Sequence, residues 1–404
     1  MRLDPGHPVA TSDLERTVGQ ILDRRLLRDH SAPVAVAFSG GGDSLALLLT
    51  VSAWAAAAGR RLLVLTVDHR LNPASAGWTG DCAAVAARLG VRFNALAWEG
   101  RKPAAGLPAA ARSARHALLA DAAREAGARV ILMGHTVDDI AEARRMRATG
   151  STTPEPREWS PSPAWPQGRG LFLLRPMLSV RRHRIREWLQ ARGESWIEDP
   201  ANTDLAYARS RARKALAEAG LAQEPAPSIS PDDGAALRAL AAACRADATT
   251  GDLRVPRPAL RDTTAEARRR LVSIACLCAA GTDRPPRRRQ VDDLAGRLLT
   301  GANFIASLAG ARIEADPYQV RFRREPGEAA RGGLAPLRLA AGAMGVWDGR
   351  FEVSAQQAIE VLARPGATLP AVAREDGGFD ALDARPLAYD RLRAACGLID
   401  REPA

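Results

Sequence analysis

Val34-Ala35-Val36-Ala37-Phe38 runs directly into Ser39-Gly40-Gly41-Gly42-Asp43-Ser44, and the residues that follow, Leu45 to Ala58, are almost wholly apolar. The β-branched and small residues read as a buried strand, and the longer apolar stretch as the helix after it. Three consecutive glycines at the junction let backbone N–H groups approach an anion closely, and the helix adds the positive end of its dipole at the same point. This context predicts a phosphate-binding loop. It is not a Walker loop, because no GK[ST] follows and so no lysine bridges the β- and γ-phosphates. An ordinary glycine turn with Asp43 as a helix cap is the competing reading, and the strand–loop–helix setting disfavours it.

Outward from this loop the same alternation repeats. Leu62 to Val67, Val91 to Trp98 and Val130-Ile131-Leu132-Met133 read as further strands, with helices over Ala76 to Leu89, Ala109 to Ala126 and about Val137 to Arg147. Four βα repeats predict an α/β domain with a parallel sheet, helices on both faces and a site at the carboxyl ends of the strands. Residues 150–170, rich in Ser, Pro and Trp, support neither periodicity and are expected to form a mobile surface loop. Leu171 to Leu174 resumes as a strand, Val180 to Ala191 as a strongly basic helix and Arg209 to Ala219 as another helix. A Pro/Ser linker from Ala222 to Pro231 closes the first domain, a mainly helical region runs to Leu299, and alternation returns in Arg312-Ile313-Glu314-Ala315 and Gln319-Val320-Arg321-Phe322-Arg323. The expected organisation is therefore 1–221, 222–300 as a helical region, and 301–404 as a small β-containing unit.

Composition sets bounds on function. The chain has 404 residues, 46% hydrophobic and 25% charged, which describes a soluble protein of two or three domains and excludes disorder as the main state. Its 57 Lys+Arg against 46 Asp+Glu leave a net charge of +11, carried almost entirely by arginine, since the lysines are Lys102 and Lys214 alone. A polyanionic partner and a bias toward arginine codons both account for that. Met1 to Ala10 lacks the basic stretch and apolar core of a signal peptide, and Leu45 to Ala58 is too short to span a bilayer, so no membrane association is expected. Cys82, Cys244, Cys276, Cys278 and Cys396 form no CxxC pair, as expected of free thiols in a reducing cytoplasm.

Two acidic clusters share the rim of the glycine loop if the sheet is parallel: Asp68-His69 after the second strand, and Gly134-His135-Thr136-Val137-Asp138-Asp139-Ile140-Ala141-Glu142 after the fourth. Each alone suits a turn or a helix start. Together, beside a phosphate loop, they suit Mg²⁺ held on phosphates. SGGGDS, the strand-end Asp-His and GHTVDDIAE resemble the PP-loop, or N-type, ATP pyrophosphatase superfamily, whose members cleave ATP between the α- and β-phosphates and adenylate an acceptor oxygen. Downstream, Leu174-Arg175-Pro176-Met177-Leu178, the basic helix around Arg184-Ile185-Arg186-Glu187-Trp188-Leu189, Trp196-Ile197-Glu198-Asp199-Pro200-Ala201-Asn202-Thr203-Asp204 and Arg209-Ser210-Arg211-Ala212-Arg213 follow in order. This resembles the tRNA(Ile)-lysidine synthetase family, whose pattern there is RPLL, a basic helix, EDPSN and RNRIR. The resemblance covers about residues 32–216.

It implies a ligase that joins L-lysine to C2 of the wobble cytidine of tRNA(Ile) with a CAU anticodon, through an adenylated cytidine, with ATP cleaved to AMP and pyrophosphate. On that resemblance Ser39, Gly40, Gly41, Gly42, Asp43 and Ser44 hold the pyrophosphate portion of ATP and Asp68 lies near the nucleotide. Asp43 and Asp138 are the implied Mg²⁺ ligands, and Asp43, Asp138 and Asp139 the catalytic acids. His135, Arg112, Arg115, Arg184, Arg209, Arg211 and Arg213 are implied substrate or tRNA contacts, and a homodimer is an implied assembly. Arg181, Arg182, His183, Arg184 and Arg186 form the densest basic run, as an RNA backbone requires. Ser210, Ala143, Thr136 and the 150–170 loop depart from the family pattern. A tRNA 2-thiolation enzyme of the same superfamily would call for paired cysteines, which Cys276-Leu277-Cys278 does not supply. A non-catalytic RNA-binding protein would have no need of the acidic rim.

Overall fold

The computed structural model describes residues 12–151, 153–200, 204–218, 230–327, 334–364, 367–374 and 376–404. The expected 222–231 linker, the first ten residues and Asn202-Thr203 lie wholly or largely outside them.

The strand that opens the motif is β1 (Val34–Ala37), followed by β2 (Leu62–Asp68), β3 (Arg92–Ala97), β4 (Val130–Met133), β5 (Trp159–Pro161) and β6 (Phe172–Leu174). They form one six-stranded sheet in the order β3-β2-β1-β4-β6-β5, parallel except for β5. The order reverses at β1, whose Ala35 pairs with Leu63 on one side and Ile131 on the other. That reversal is the switch point where α/β sheets open a crevice at the strand carboxyl ends.

The helices of this part are α1 (Asp13–Arg25), α2 (Gly42–Ala57), α3 (Ser75–Arg88), α4 (Leu107–Glu125), α5 (Val137–Ala148), α6 (Arg182–Gln190) and α7 (Ala208–Glu218). Helix α2 is apolar around its circumference because it is buried, with Leu45, Leu47, Leu48 and Val51 all at or below 1% exposure. Helix α6 starts two residues later than its apolar pattern suggests. Asp138 Oδ2 accepts the backbone N–H of Arg182 at 2.8 Å and so satisfies a first-turn donor that would otherwise go unpaired.

The expected mobile loop at 150–170 is corrected by the structure. Trp159, Ser160 and Pro161 pair with Leu174, Leu173 and Phe172, and the Trp159 ring stacks on Phe172 at 4.8 Å. Further along, Trp165 Nε1 donates to the carbonyl of Gly349 at 2.8 Å, the Arg391 guanidinium lies 4.1 Å from the Trp165 ring, and Arg169 pairs with Glu352. Aromatic packing, strand pairing and ion pairing order a segment whose proline and serine content reads as loop.

The chain divides into two compact units, Met1–Ser162 with Leu171–Ser228 and Asp400–Ala404, and Pro163–Gly170 with Ile229–Ile399. In the second unit, α8 (Pro231–Ala243), α10 (Ala265–Ala280), α11 (Arg288–Arg297) and α12 (Ala388–Ala395), with the short α9 (Arg257–Arg261) before α10, pack on the antiparallel sheet β7-β8-β11-β10-β9. Its strands are β7 (Arg245–Ala246), β8 (Leu253–Pro256), β9 (Phe304–Leu308), β10 (Ala311–Ala315) and β11 (Gln319–Arg324). Residues on both sides of position 300 thus share one core, where Leu271 and Cys276 meet Ile313 and Phe322. A smaller core around Trp347, Phe351 and Val361 holds a four-stranded and a three-stranded sheet between Leu337 and Pro386. Among the described residues no helix is long and apolar enough to cross a membrane.

Candidate active site

A cavity of about 820 Å³ opens at the carboxyl ends of β1, β2 and β4. Its floor is the glycine loop. Gly41 is the N-cap of α2 and no side chain caps that end, so the first-turn N–H groups and the helix dipole are left for an anion. The loop is held from below by Ser44, whose Oγ donates to the Gly41 carbonyl at 2.8 Å and accepts the Ser39 N–H at 3.3 Å. Gly40 adopts φ +79°, the left-handed region that favours glycine. A Cβ there would sit 2.3 Å from Ile197 Cδ1, and Ile197 N–H bonds the Gly40 carbonyl at 3.0 Å. Gly134 serves a related purpose, since a Cβ at the end of β4 would come 2.9 Å from the Asp43 carbonyl oxygen.

Asp43 is not a cap. Its Oδ2 accepts from Arg182 Nε at 3.0 Å, while its Oδ1 is buried with no hydrogen-bond partner. Burial pushes its carboxyl above the usual aspartate range, against the pull of the Arg182 charge. The same guanidinium reaches α5: Nη1 donates to Glu142 at 2.8 Å and Nη2 to Asp139 Oδ1 at 3.2 Å. Glu142, 2% exposed, also takes Arg209 Nε at 2.7 Å and Arg213 Nε at 2.9 Å, and Arg209 donates to Asp139 Oδ1 as well. Although burial disfavours its charge, these arginines hold the Glu142 carboxyl below its usual range. The other oxygen of Asp139 closes a capping box, accepting from Thr136 N–H at 2.6 Å and Thr136 Oγ1 at 2.9 Å. Thr136, one of the departures from the family pattern, therefore orients Asp139.

The opposite wall is cationic. Burial, reinforced by the charges of Arg175, Arg209, Arg115 and Arg112, keeps the His135 imidazole well below its ordinary pKa and thus neutral. Arg175 Nε donates to His135 Nδ1 at 3.2 Å. An arginine can only donate, so Nδ1 is the acceptor and the ring proton sits on Nε2. Burial and neighbouring charge lower Arg115 to about 10, and its Nε has no partner.

Of the residues expected from sequence, Ser39, Gly41, Gly42, Asp43, Ser44, Asp68, Arg115, His135, Asp139, Arg209 and Arg213 line the cavity. Gly40, Asp138, Arg112, Arg184 and Arg211 are not among its lining. Asp138 is occupied with the start of α6. Arg184 pairs with Glu187 on the surface, and Arg211 bonds the carbonyls of Leu205 and Ala206. The residue that sequence spacing failed to single out is Arg182. Helical phase points to it, since 182, 185 and 189 share a face and Ile185 and Leu189 are buried, whereas 184 faces away. The same phase separates Arg209 and Arg213, four apart, from Arg211.

Among the described residues no group of three or more His, Cys, Asp or Glu is arranged to hold a metal by itself. What is present is one unpartnered carboxylate oxygen, Asp43 Oδ1, beside an anion-binding loop. That fits Mg²⁺, which is commonly held by one or two carboxylates plus substrate phosphates.

Comparison with known proteins adds to this geometry. Residues 10–219 match the PP-loop domain family. The tRNA(Ile)-lysidine synthase of Caulobacter vibrioides is 47% identical over 420 residues, which take in 94% of this chain and 97% of that protein. Those of Hyphomonas neptunium and Rhizobium meliloti are each 34% identical, covering 78% and 82% of this chain and 88% and 76% of theirs.

Proposed function

This chain belongs to the tRNA(Ile)-lysidine synthases of the PP-loop family, and from that premise we infer how its cavity carries the reaction. The protein is an ATP-dependent ligase that forms lysidine in tRNA(Ile). The observation that carries the mechanism is the meeting of three acids, Asp43, Asp139 and Glu142, on one guanidinium beside an uncapped helix N-terminus.

The loop N–H groups at the start of α2 bind the β- and γ-phosphates, so that pyrophosphate leaves toward the helix dipole. The C2 carbonyl oxygen of the wobble cytidine attacks the α-phosphorus and the bond to pyrophosphate breaks, leaving C2 activated by an AMP leaving group. His135 Nε2–H and the Arg115 guanidinium, on the facing wall, are donors for that developing negative charge. Asp43, through its unpartnered Oδ1, would hold Mg²⁺, which would supply charge neutralisation on the leaving pyrophosphate. In the second step the ε-amine of L-lysine attacks C2 and AMP departs. Only the neutral amine is nucleophilic, so its ammonium proton must first be taken up. Asp139 is the acid on the cavity wall placed to receive it, and its Oδ1 accepts the ammonium in exchange for an arginine. Asp138, expected as a partner in metal binding and catalysis, supports this from behind by fixing the start of α6 and thus Arg182.

Exposed Arg184 and Arg211, with Arg112 near the cationic wall, provide charge for tRNA phosphates. A reducing, cytoplasmic setting agrees with five buried, unpaired cysteines, and the homodimer is read by light scattering. The reaction is tested by incubating the protein with ATP, Mg²⁺, labelled lysine and unmodified tRNA(Ile). Label in the tRNA that is lost with Asp43→Ala supports the mechanism. Label retained in Asp43→Ala, or no label with wild-type protein and an active control enzyme, contradicts it.

A further inference from the structure

Arg182 stands where an inorganic cation would otherwise be drawn. Its side chain, largely buried, contacts one oxygen each of Asp43, Asp139 and Glu142 at 2.8–3.2 Å, and its own backbone N–H takes Asp138. Two further guanidinium groups, Arg209 and Arg213, reach Glu142 but neither is paired with Asp43. The only charge partner of Asp43 among the described ion pairs is therefore Arg182. Withdrawing that charge leaves both oxygens of Asp43 without a cation and reduces the compensation of two more acids on α5. The remaining pocket is one to which a divalent ion is attracted without help from nucleotide. With Arg182 in place the protein offers a metal a single oxygen, Asp43 Oδ1, on a carboxylate whose charge is already shared.

We propose that Arg182 is a built-in counter-cation that keeps the acidic cluster from binding a divalent metal on its own, so that metal enters only together with the phosphates of ATP. This rests on the reading of Asp43 as a metal ligand. Arg182 is a positioning residue: it acts on metal through the three acids and needs no contact with the reacting atoms. The arrangement also preserves the geometry of the acids before substrate arrives, since one planar fork spans α2 and α5.

The test measures Mn²⁺ retained with the full-length protein on ultrafiltration, with and without a non-hydrolysable ATP analogue. Wild type is expected to retain Mn²⁺ with the analogue and little without it. Arg182→Gln is expected to bind Mn²⁺ in the absence of nucleotide at least about tenfold more tightly than wild type. Arg182→Lys, whose ammonium cannot span three acids, is expected to fall between them. It also carries the test alone if the glutamine variant does not fold. ATP-free binding no tighter than wild type in the folded variants, with the analogue arm intact, overturns the counter-cation and leaves Asp43 as a metal ligand. Failure of wild type to retain Mn²⁺ even with the analogue overturns the metal reading and the inference with it.

Discussion

Two arginines, one in each unit, show how the same side chain serves opposite ends. Arg257 in the second unit is 0% exposed and spends its guanidinium on backbone carbonyls, those of Leu298 at 3.1 Å, Asp316 at 2.8 Å and, at 3.4 Å, Arg297 and Gly301. It closes the end of α11 and the turn before β11, where orphan carbonyls need donors. Arg182 meets three carboxylates at the edge of a cavity instead. Carbonyls satisfied by an arginine make a joint that has no reason to open. Carboxylates satisfied by an arginine form a charged cluster that a cationic ligand can compete for. The kind of partner and the neighbouring space separate the two cases.

The sharpest way to break the contrast is at the acids around Arg182. Asp139→Asn keeps the shape and the bonds of one oxygen but removes the proton acceptor, and is expected to lower lysine transfer per folded molecule by about 10²–10⁴-fold. Asp138→Asn, off the cavity wall, is expected to cost far less in transfer. Equal losses would contradict the assignment of proton uptake to Asp139. Next in size is Arg257→Ala, which leaves several carbonyls unpaired and is expected to cost about 3 kcal/mol of stability by urea denaturation. Its activity per folded molecule stays that of wild type, and a selective loss of activity would erase the distinction between the two arginines.

A third measurement uses histidine as a gauge of the positive wall. His116, buried and facing Arg115, Arg112 and Arg175, has its pKa lowered from 6.5 to about 2. Its folded form stays neutral, so this contribution to stability is fully present above pH 6.5 and is lost as pH falls below it. The expected slope is about 1.4 kcal/mol per pH unit from this group. All six histidines lie outside Ile229–Ile399, so the effect belongs to the first unit. Comparing urea midpoints from pH 7.5 downward in wild type and His116→Gln checks it, and identical slopes contradict it. The smallest effect is expected for Arg184→Ala. With its side chain 68% exposed beside Glu187, loss of Arg184 should change stability by under about 0.5 kcal/mol. As a phosphate contact it should still lower the salt slope of tRNA binding by about one.

Much of the first unit is legible in the chain because local pattern and tertiary role agree there. The strand before the glycines, the apolar α2 and the Val-Ile-Leu-Met strand are each buried as their composition demands. The glycine loop was legible for the same reason, since only glycine tolerates the φ and the contact with Ile197 at position 40. Partner choice was not. Five basic residues in six positions look alike by spacing, and only the phase of α6 turns Arg182 inward and Arg184 out. Asp138 and Asp139 are neighbours in sequence, yet helix geometry sends one to cap α6 and the other to the cavity. The 159–170 stretch hid its order because Trp165 and Arg169 make their contacts with residues remote in the chain.

In the proposed mechanism the glycine loop and the arginine-linked acids act as one adenylating site. The direct measurement supplies ATP labelled in its α-phosphate, Mg²⁺ and unmodified tRNA(Ile), and withholds lysine. Labelled AMP is expected covalently attached to the tRNA, absent with Asp43→Ala and released when lysine is added. Protein that transfers lysine to tRNA yet never carries the label onto the tRNA beforehand would contradict it.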